Sequence, residues 1–333
     1  MVIRSVACVT LTWIVCGGVI AGEPTSGNLI PKSPAVRAAV ERALPFVAGG
    51  GIEWIEQREC ISCHRVGFMV WSQALAASRG FDIDHARLKE WTDWSVDSLL
   101  EPEEMRPGKL VAHGNVEGLA QMIFSVAPEY RAARVETYAR LLDILGSQQA
   151  DDGTWKPGGQ LPGQKRPKSE TGEVSTMWIA LALGQISESD DSAGIRNRAV
   201  SAVKPASDAI SAEWYAVRML LANQSGDTAE IVRCQDHLVA SQHTDGGWGW
   251  ILADPSDALA TGQALYALAE SGLDPQHPSI QSALNFLIDS QTNDGSWPVN
   301  GTKTKDKDDV METATYWGTA WAVIGMCRCL PEQ

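Results

Sequence analysis

Gln242-His-Thr-Asp-Gly-Gly-Trp248 is one of three stretches in this chain that follow the pattern Q-x-x-D-G-x-W. The other two are Gln149-Ala-Asp-Asp-Gly-Thr-Trp155 and Gln291-Thr-Asn-Asp-Gly-Ser-Trp297. Their tryptophans are 93 and 49 residues apart, which indicates a degenerate copy between the first two. Each stretch follows an amphipathic segment and precedes a more apolar one. A repeat of about 40 to 50 residues, with one helix on each side of the motif, is typical of stacked helical hairpins.

The phase of this motif predicts twelve helices along the chain. Asp-Gly and Gly-rich breaks separate them, and Pro34, Pro128 and Pro278 stand near predicted helix starts. No segment shows a convincing alternation of polar and apolar residues of the kind that marks a strand. The predicted helices span residues 35–58, 67–79, 84–100, 114–126, 129–149, 171–187, 193–204, 209–223, 228–241, 257–271, 277–290 and 312–330.

The predicted helices are of two kinds. Segments 177–183, 264–268 and 319–324 are apolar nearly all round, as buried helices are, whereas segments that precede the motif, such as 228–241, carry a polar face. Six apolar inner helices surrounded by six polar outer helices make a ring. The sequence therefore predicts an all-α fold, an (α/α)6 toroid, over residues 34–330.

The three motifs resemble the QW motifs of the squalene–hopene cyclase and prenyltransferase superfamily. The stretch Ala258-Leu-Ala-Thr-Gly-Gln-Ala-Leu-Tyr-Ala-Leu268 is similar to an inner helix that follows such a motif, and Thr315-Tyr-Trp-Gly-Thr-Ala-Trp321 is similar to the last inner helix. The resemblance covers about residues 129–330, and residues 35–128 only by helical period. It implies an α/α toroid in which the motif is structural: the Gln amide bonds backbone groups at helix ends, and the indole stacks over it.

A second signal, Cys60-Ile-Ser-Cys63-His64, follows the pattern C-x-x-C-H. Two thiols at this spacing can each add to one vinyl group of a haem, and the histidine that follows can bind the iron. A disulfide, a zinc half-site and chance are the alternatives, and the adjacent histidine in an exported chain favours haem. We therefore predict a covalent c-type haem, held by Cys60, Cys63 and His64, at one rim of the ring.

Met105 and His113 are the candidates for a second axial ligand to the haem iron. They lie 41 and 49 residues after His64 and flank a loop that contains Pro and Gly, from which either side chain can turn toward the iron. The sequence favours neither Met105 nor His113 as this ligand. An iron without a sixth ligand would accept small ligands or peroxide.

Aromatic residues on the predicted inner helices are candidates for the wall of a central apolar cavity. In that arrangement they would hold an isoprenoid-like apolar molecule; alternatively, they fill the middle of the ring and leave no cavity. The candidates are Trp71, Trp178, Tyr215, Tyr266, Trp317 and Trp321, with Glu173 nearby.

The resemblance to cyclases also implies a catalytic acid in a D-x-D-D-T-A motif, because these enzymes protonate an alkene and guide the cation with aromatic faces. Asp306-Lys-Asp-Asp309 matches the first four letters, but Val310-Met311 follows in place of Thr-Ala, and the surrounding run is rich in lysine. A solvated loop explains this run better than a catalytic site.

Residues 1–21 are predicted to be a signal peptide. Arg4 precedes an apolar run over residues 6–18, and small or medium residues, Val19-Ile-Ala21, lead to a cleavage site near Ala21. A lipid anchor on Cys16 is the alternative. We expect an exported chain, periplasmic or extracellular, whose remaining thiols besides Cys60 and Cys63 are Cys234, Cys327 and Cys329; their pairing stays open.

Charge and hydropathy narrow the choice of partners. The chain carries a formal net charge of −14, which argues against nucleic acid and against anionic lipid headgroups. Beyond the leader, no run reaches the roughly 20 apolar residues that a membrane span needs.

Three functions are compatible with these patterns. The leading hypothesis is an exported c-type haem protein for redox chemistry or electron transfer, built on a cyclase-like toroid and served by a redox partner protein. The alternative is a cyclase-like enzyme acting on squalene or another polyprene, or an isoprenoid-binding protein, whose C-x-x-C-H is incidental. The second alternative is a structural module for protein interactions, since helical rings present wide surfaces.

Overall fold

The computed structural model describes residues 33–58, 65–102, 108–158, 161–186, 190–203 and 209–332. Over these ranges the chain forms thirteen α-helices and no β-strand, so the predicted all-α class is confirmed. The helices are α1 Ser33–Arg58, α2 Val66–Ser78, α3 His85–Leu99, α4 Val116–Ser125, α5 Pro128–Ala132, α6 Val135–Ser147, α7 Lys168–Leu183, α8 Asp190–Ala202, α9 Ala212–Ser225, α10 Thr228–Ala240, α11 Ala258–Glu270, α12 Pro278–Ser290 and α13 Glu312–Arg328.

The helix predicted at 129–149 is wrong in one respect, because it is two helices, α5 and α6. The backbone leaves the helical region at Arg134, where φ is −130° and ψ is 44°. Arg131 in α5 donates to the carbonyl oxygens of Ile123 and Val126, so α5 is fixed against the C-terminal end of α4. Since α6 packs against both α4 and α8, the chain changes direction between the two helices.

Six helices form a closed inner ring. Each of α2, α4, α7, α9, α11 and α13 packs against the next in this order, and α13 packs back against α2. The outer helices α1, α3, α6, α8, α10 and α12 each lie against at least one inner helix, and α1 also contacts α12. The predicted (α/α)6 toroid is therefore confirmed, with the first and last hairpins in contact.

The glutamine of each Q-x-x-D-G-x-W motif joins two neighbouring outer helices. In all three motifs its Nε2 donates to the carbonyl oxygen of the motif glycine, at 2.7–3.0 Å. The same nitrogen donates to a carbonyl of the following outer helix: Gln149 to Ile195, Gln242 to Ser279, and Gln291 to Ala39, each at 2.9 Å. The last of these bonds links the end of α12 to α1 and so helps to close the ring.

The tryptophan of each motif joins an outer helix to an inner one. Its indole Nε1 donates to the carbonyl of the leucine ten positions earlier, at 2.7–2.9 Å in Trp155, Trp248 and Trp297. Its backbone N–H donates to a threonine hydroxyl of the next inner helix, at 3.0–3.3 Å. These buried hydrogen bonds explain why the residue types recur, because each motif connects its own outer helix to the next outer helix and to the next inner helix.

The glycine of each motif is required by geometry. Gly153, Gly246 and Gly295 have φ of 86°, 91° and 85°, a region that L side chains rarely adopt. A Cβ atom on any of them would also collide with a backbone carbonyl of the next outer helix. The motif glycine therefore lets neighbouring repeats approach each other closely.

Aromatic rings fill the middle of the inner ring. Trp71 of α2 has its ring centroid 5.3 Å from Phe124, 5.5 Å from Tyr266 and 5.0 Å from Trp321. We call this group the central aromatic cluster; its members are Phe68, Trp71, Phe124, Trp178, Tyr266, Trp317 and Trp321.

The state of the three described cysteines and the character of the helices complete the description of the fold. Cys234, Cys327 and Cys329 are buried free thiols, and burial raises the pKa of the Cys234 thiol to about 12. In the part of the chain that the structure describes, no helix combines the length and the apolar character needed to cross a membrane.

Candidate functional site

The candidate site lies at the end of the ring where the inner helices begin. Outer and inner helices alternate along the chain, so the inner helices run in one direction and their N-termini share one end. Glu117, Glu170 and Glu213 stand in the first turns of α4, α7 and α9, where the helix dipole favours a carboxylate. All three are buried, which is unusual for acidic residues and marks this end of the ring.

A cavity of about 110 Å³ lies among these helix ends. One side of it comes from two inner helices, through Glu117 and Gln121 of α4 and Ala314 and Trp317 of α13. The rest comes mainly from two loops: the one before α7, through Leu161 and Gln164, and the one at residues 300–311, through Lys303, Asp306 and Met311. The loops are joined to each other, because the Lys165 N–H donates to the Thr302 carbonyl at 2.9 Å.

Glu117 is the acid in the wall of this cavity. Burial raises its pKa from an ordinary value of 4.5 to about 7, and the nearby carboxylate of Glu213 acts in the same direction. The Ser175 hydroxyl donates to Glu117 Oε2 and opposes this shift in part. At neutral pH and below, a large fraction of the Glu117 carboxyl is therefore neutral and can donate a proton or a hydrogen bond.

Arg166 and Glu213 form a buried ion pair beside the cavity. Arg166 Nη1 lies 2.7 Å from Glu213 Oε2, and both side chains are at most 2% exposed. Trp178 Nε1 donates to Glu213 Oε1 at 3.2 Å, and the guanidinium lies 5.0 Å from the ring of Trp250. Because an unpaired buried charge destabilises the folded state, Arg166 and Glu213 hold each other in position.

The remaining acids at this end of the ring bind the protein itself. Glu170 accepts hydrogen bonds from the backbone N–H groups of Ile210 and Ser211, at 3.0 Å each. Glu173, which the sequence placed near a cavity, accepts from Trp214 Nε1 at 2.7 Å. Asp257 caps α11, and burial of its carboxyl group raises its pKa to about 6.

The aromatic candidates from the sequence fall into two groups. Trp71, Trp178, Tyr266 and Trp321 pack within the central aromatic cluster, and Trp317 belongs both to this cluster and to the cavity wall. Tyr215 lies elsewhere: its ring stacks on His237 at 3.9 Å, and its hydroxyl donates to the Ala209 carbonyl. In the described residues the middle of the ring is filled, and of these candidates Trp317 lines the small cavity at one end.

The predicted haem residues Cys60, Cys63 and His64, and the candidate ligand Met105, lie outside the described residues. His113 is described and lies in a 3₁₀ turn just before α4, where its Nδ1 accepts the Leu110 N–H at 3.0 Å. Among the described ranges, no group of three or more His, Cys, Asp or Glu side chains has the arrangement of a metal site.

The acidic run that matches the cyclase motif by letter lies in the loop at 300–311. Asp308 and Asp309 are exposed, as a solvated loop predicts. Asp306 is half-buried and lines the cavity beside Lys303. The run therefore contributes one side chain to the site, while the buried acid comes from α4.

Glu117, Arg166 and Glu213 were not predicted from the sequence. A signal for the two acids exists in retrospect: each is the second residue of an inner helix, and all inner helices begin at the same end of a toroid. An acid in the first turn of a helix is also an ordinary partner of the helix dipole, so its position alone does not indicate a site. Their burial depends on the loops that cover this end.

Solved structures with the same fold include two kinds of enzyme. The type II terpene cyclase MstE from Scytonema, in complex with geranylgeranyl dihydroxybenzoate, aligns with a TM-score of 0.57 at 13% identity, covering 91% of this chain and 99% of that one. The unsaturated glucuronyl hydrolase from Bacillus sp. GL1 aligns with a TM-score of 0.57 at 13% identity, covering 88% and 96%. A possible GH105 family member from Salmonella enterica reaches 0.59 at 13% identity, covering 96% and 99%. These likenesses define the class of fold, an α/α toroid.

Sequence comparisons point to one branch of that class. Residues 200–331 match the Squalene-hopene cyclase C-terminal domain. Drimenyl diphosphate synthase from Streptomyces showdoensis is 38% identical over 65 residues, which are 20% of this chain and 12% of that protein. The chain thus spans about an eighth of the length of this curated relative. The likeness is thus to squalene cyclase-like proteins, and the matching residues 200–331 make up less than half of this chain.

Proposed function

We propose that this protein binds an isoprenoid-like apolar molecule in the cavity at the N-terminal end of its inner ring, and that Glu117 is the proton donor to it. The observation that carries this proposal is a buried carboxyl group, with its pKa raised to about 7, in the wall of a cavity that also contains Ala314 and Trp317. Burial in low dielectric is the usual way in which a protein keeps a carboxyl group protonated near neutral pH.

The proposed chemistry is acid-initiated. The O–H bond of Glu117 breaks, its proton forms a C–H bond with an alkene carbon of the ligand, and the π electrons leave a cation on the neighbouring, more substituted carbon. Aromatic faces such as that of Trp317 stabilise such a cation. The reaction ends when a C–H bond next to the cation breaks, its electron pair forms a new C=C bond, and the proton returns to the Glu117 carboxylate. An acid with a pKa near 7 is weak, so an oxygen atom accepts its proton more readily than an alkene carbon does.

The comparisons support an isoprenoid ligand. Drimenyl diphosphate synthase and the complex of MstE with geranylgeranyl dihydroxybenzoate are both connected by name with isoprenoid compounds. The cavity, at about 110 Å³, lies below the roughly 300–1,000 Å³ of sites that enclose a drug-sized ligand. We infer that it holds one end of a prenyl chain.

Ligand binding and turnover test this proposal together. The full chain is mixed separately with squalene, farnesol and geranylgeraniol; the Tm is measured, and the extracts are examined by mass spectrometry. A ligand at 100 times its Kd stabilises the folded state by about 2.7 kcal/mol, so the Tm rises with ligand concentration. Glu117→Gln is expected to bind without forming product, and Glu136→Gln, an exposed acid on α6, is the matched control. If no isoprenoid raises the Tm, the proposal fails.

A second candidate function is redox chemistry with a c-type haem, and a groove next to the predicted attachment motif favours it. The groove has a volume of about 260 Å³ and lies between α1 and the start of α13, with Trp54 and Arg65 in its wall. Arg65 directly follows His64, is nearly buried, and has its Nε without a hydrogen-bond partner.

These groove residues are compatible with a haem. The Arg65 guanidinium is paired through Nη2 with the exposed carboxylate of Glu312, so a haem propionate would take the place of that carboxylate. The indole of Trp54 suits the face of a porphyrin. Cys60 and Cys63 would hold the group covalently, His64 would bind the iron, and Met105 or His113 would supply a second ligand to it. Haem would supply electron transfer to a redox partner protein. This candidate function also requires export of the chain, because the haem would be attached after export.

An absorption spectrum in alkaline pyridine after reduction tests this second candidate. The chain is produced with its leader and with haem-attachment machinery, and a c-type haemochrome band that survives denaturation is the expected result. Cys60→Ala with Cys63→Ala removes the band. A colourless wild-type protein overturns the haem candidate and leaves the isoprenoid proposal untouched.

A further inference from the structure

We infer that the ligand of the N-terminal cavity carries a neutral hydroxyl group at the end that enters the protein. This inference deepens the proposed function and rests on it, because it specifies the class of isoprenoid: a prenyl alcohol, in preference to a hydrocarbon or a diphosphate. Unpartnered polar atoms in the cavity wall, and the balance of charge around them, support it.

Three buried polar atoms from cavity-lining residues lack a hydrogen-bond partner: Gln121 Oε1, Gln164 Oε1 and Trp317 Nε1. Gln121 and Trp317 are 5% and 8% exposed, so bulk water is largely excluded from both. A buried polar atom that is left unpaired destabilises the protein, and such atoms are rare in folded proteins. They are three of fourteen such atoms among the described residues, and these three share one cavity, where a bound group can pair with them.

The chemistry of the three atoms specifies that group. The glutamine oxygens can only accept a hydrogen bond, whereas the indole N–H can only donate one. A hydroxyl group satisfies both kinds at once, because it has one proton to give to a glutamine oxygen and lone pairs to accept from Trp317. The neutral form of Glu117 adds a second donor at the same wall. A hydrocarbon would leave all of these atoms unpaired.

The charges around the cavity disfavour an anionic head group. Lys303 and Asp306 both line the cavity, and their formal charges cancel. Arg166, the nearby guanidinium, is already paired with Glu213 at 2.7 Å. A diphosphate would therefore meet no net positive charge and would face the two glutamine oxygens, which repel an oxyanion. Apolar side chains such as Leu161 and Met311 complete the wall and suit the first isoprene unit.

Four ligands with the same carbon skeleton test the inference: farnesol, farnesyl methyl ether, farnesene and farnesyl diphosphate. Calorimetric titration of the full chain gives a Kd for each. We expect farnesol to bind at least tenfold more tightly than farnesene and farnesyl diphosphate, with the ether in between because it can accept but not donate. Equal affinity for farnesol and farnesene, or tighter binding of the diphosphate, overturns the inference and leaves the proposed function standing. If none of the four binds, both fail.

Two variants locate the effect at the named atoms. Gln121→Leu removes one polar partner with little change in side-chain volume, whereas Trp317→Phe removes the indole N–H together with part of the ring. The preference for farnesol over farnesene should fall about tenfold in each. The affinity for farnesene itself should stay within about twofold. Gln276→Leu, on an exposed turn, is the control and should behave as the wild type. An unchanged preference in both folded cavity variants contradicts the assignment of the hydroxyl to this wall.

Discussion

Glu117 illustrates how position and burial compete at a single residue. It is the second residue of α4, where the helix dipole stabilises a carboxylate by roughly 0.3–1 kcal/mol. Burial acts in the opposite direction and dominates, because it raises the pKa of this carboxyl group to about 7. The Ser175 hydroxyl, which favours the ionised form, reduces the shift without cancelling it. Near neutral pH, the Glu117 carboxyl group is therefore present in both its neutral and its ionised form.

The raised pKa of Glu117 predicts a loss of stability as pH increases. The folded state holds the proton up to about pH 7, whereas the unfolded state releases it near pH 4.5. Between these values the folded state binds more protons, so the free energy of unfolding falls with rising pH and levels off above about pH 7. The pKa shift corresponds to a total decrease of about 3 kcal/mol in the free energy of unfolding.

Urea unfolding of the wild type and of Glu117→Gln between pH 4 and 8 measures this contribution. Asp257, whose pKa is raised to about 6, changes stability in the same direction in both proteins, so the difference between them isolates Glu117. We expect the variant to lose most of the fall in stability between pH 5 and 7. Parallel curves for the two proteins would show that the Glu117 pKa is not raised.

At the scale of elements, the Q-x-x-D-G-x-W motif is the junction between repeats. The sequence resemblance implied that its glutamine bonds backbone groups at helix ends, and all three glutamines do so. Sequence did not predict the break between α5 and α6, because that break depends on Arg131 reaching the carbonyls at the end of α4. Local periodicity carries no information about such a contact.

Gln291→Ala is expected to destabilise the protein by about 1–3 kcal/mol. The substitution removes three hydrogen bonds: the two that Gln291 donates to Gly295 and Ala39, and the one that it accepts from Arg42. It also leaves buried carbonyl oxygens with fewer partners. The bond to Ala39 also helps to join α12 to α1. Thermal and urea denaturation provide the measurement, and Gln276→Ala, on an exposed turn, should change stability by less than about 0.5 kcal/mol. Equal effects of the two substitutions would contradict the junction role.

Gly295→Ala and Gly272→Ala separate two costs of replacing a glycine. Both residues have positive φ, 85° and 86°, but only Gly295 approaches another backbone, at Arg42. We expect Gly272→Ala to cost about 1 kcal/mol through its backbone conformation alone. Gly295→Ala should cost at least about 1 kcal/mol more, because its Cβ would collide with a carbonyl that cannot easily move. Similar losses of stability in the two variants would refute the close approach.

At the scale of the whole molecule, the sequence predicted the ring but not its site. The repeat period and the alternation of apolar and polar helices were enough for the (α/α)6 toroid, because both are local properties. The cavity joins Glu117, Gln164 and Trp317, which are far apart in the chain, with two loops that have no periodic pattern. These residues are close together because the ring closes, and ring closure cannot be predicted from any single segment of the sequence.

Ring closure predicts one cooperative unfolding transition. Open repeat arrays can unfold from their ends, but here α1 packs against α12 and α13, so the terminal hairpins support each other. Tyr316 of α13 donates to the Val47 carbonyl of α1 at 3.0 Å and adds to this contact. Far-ultraviolet circular dichroism and tryptophan fluorescence should report the same midpoint in urea. Separate midpoints would show that part of the ring unfolds independently.

The measurement that tests the central claim most directly is a pH titration of the Glu117 carboxyl by ¹³C NMR, in a chain labelled at glutamate carboxyl carbons. The resonance is assigned by its absence in Glu117→Gln, and the titration is run without and with farnesol. The account predicts a midpoint near pH 7 that rises when farnesol displaces water from the cavity. A midpoint near 4.5 that does not respond to farnesol would contradict both the neutral acid and the ligand site.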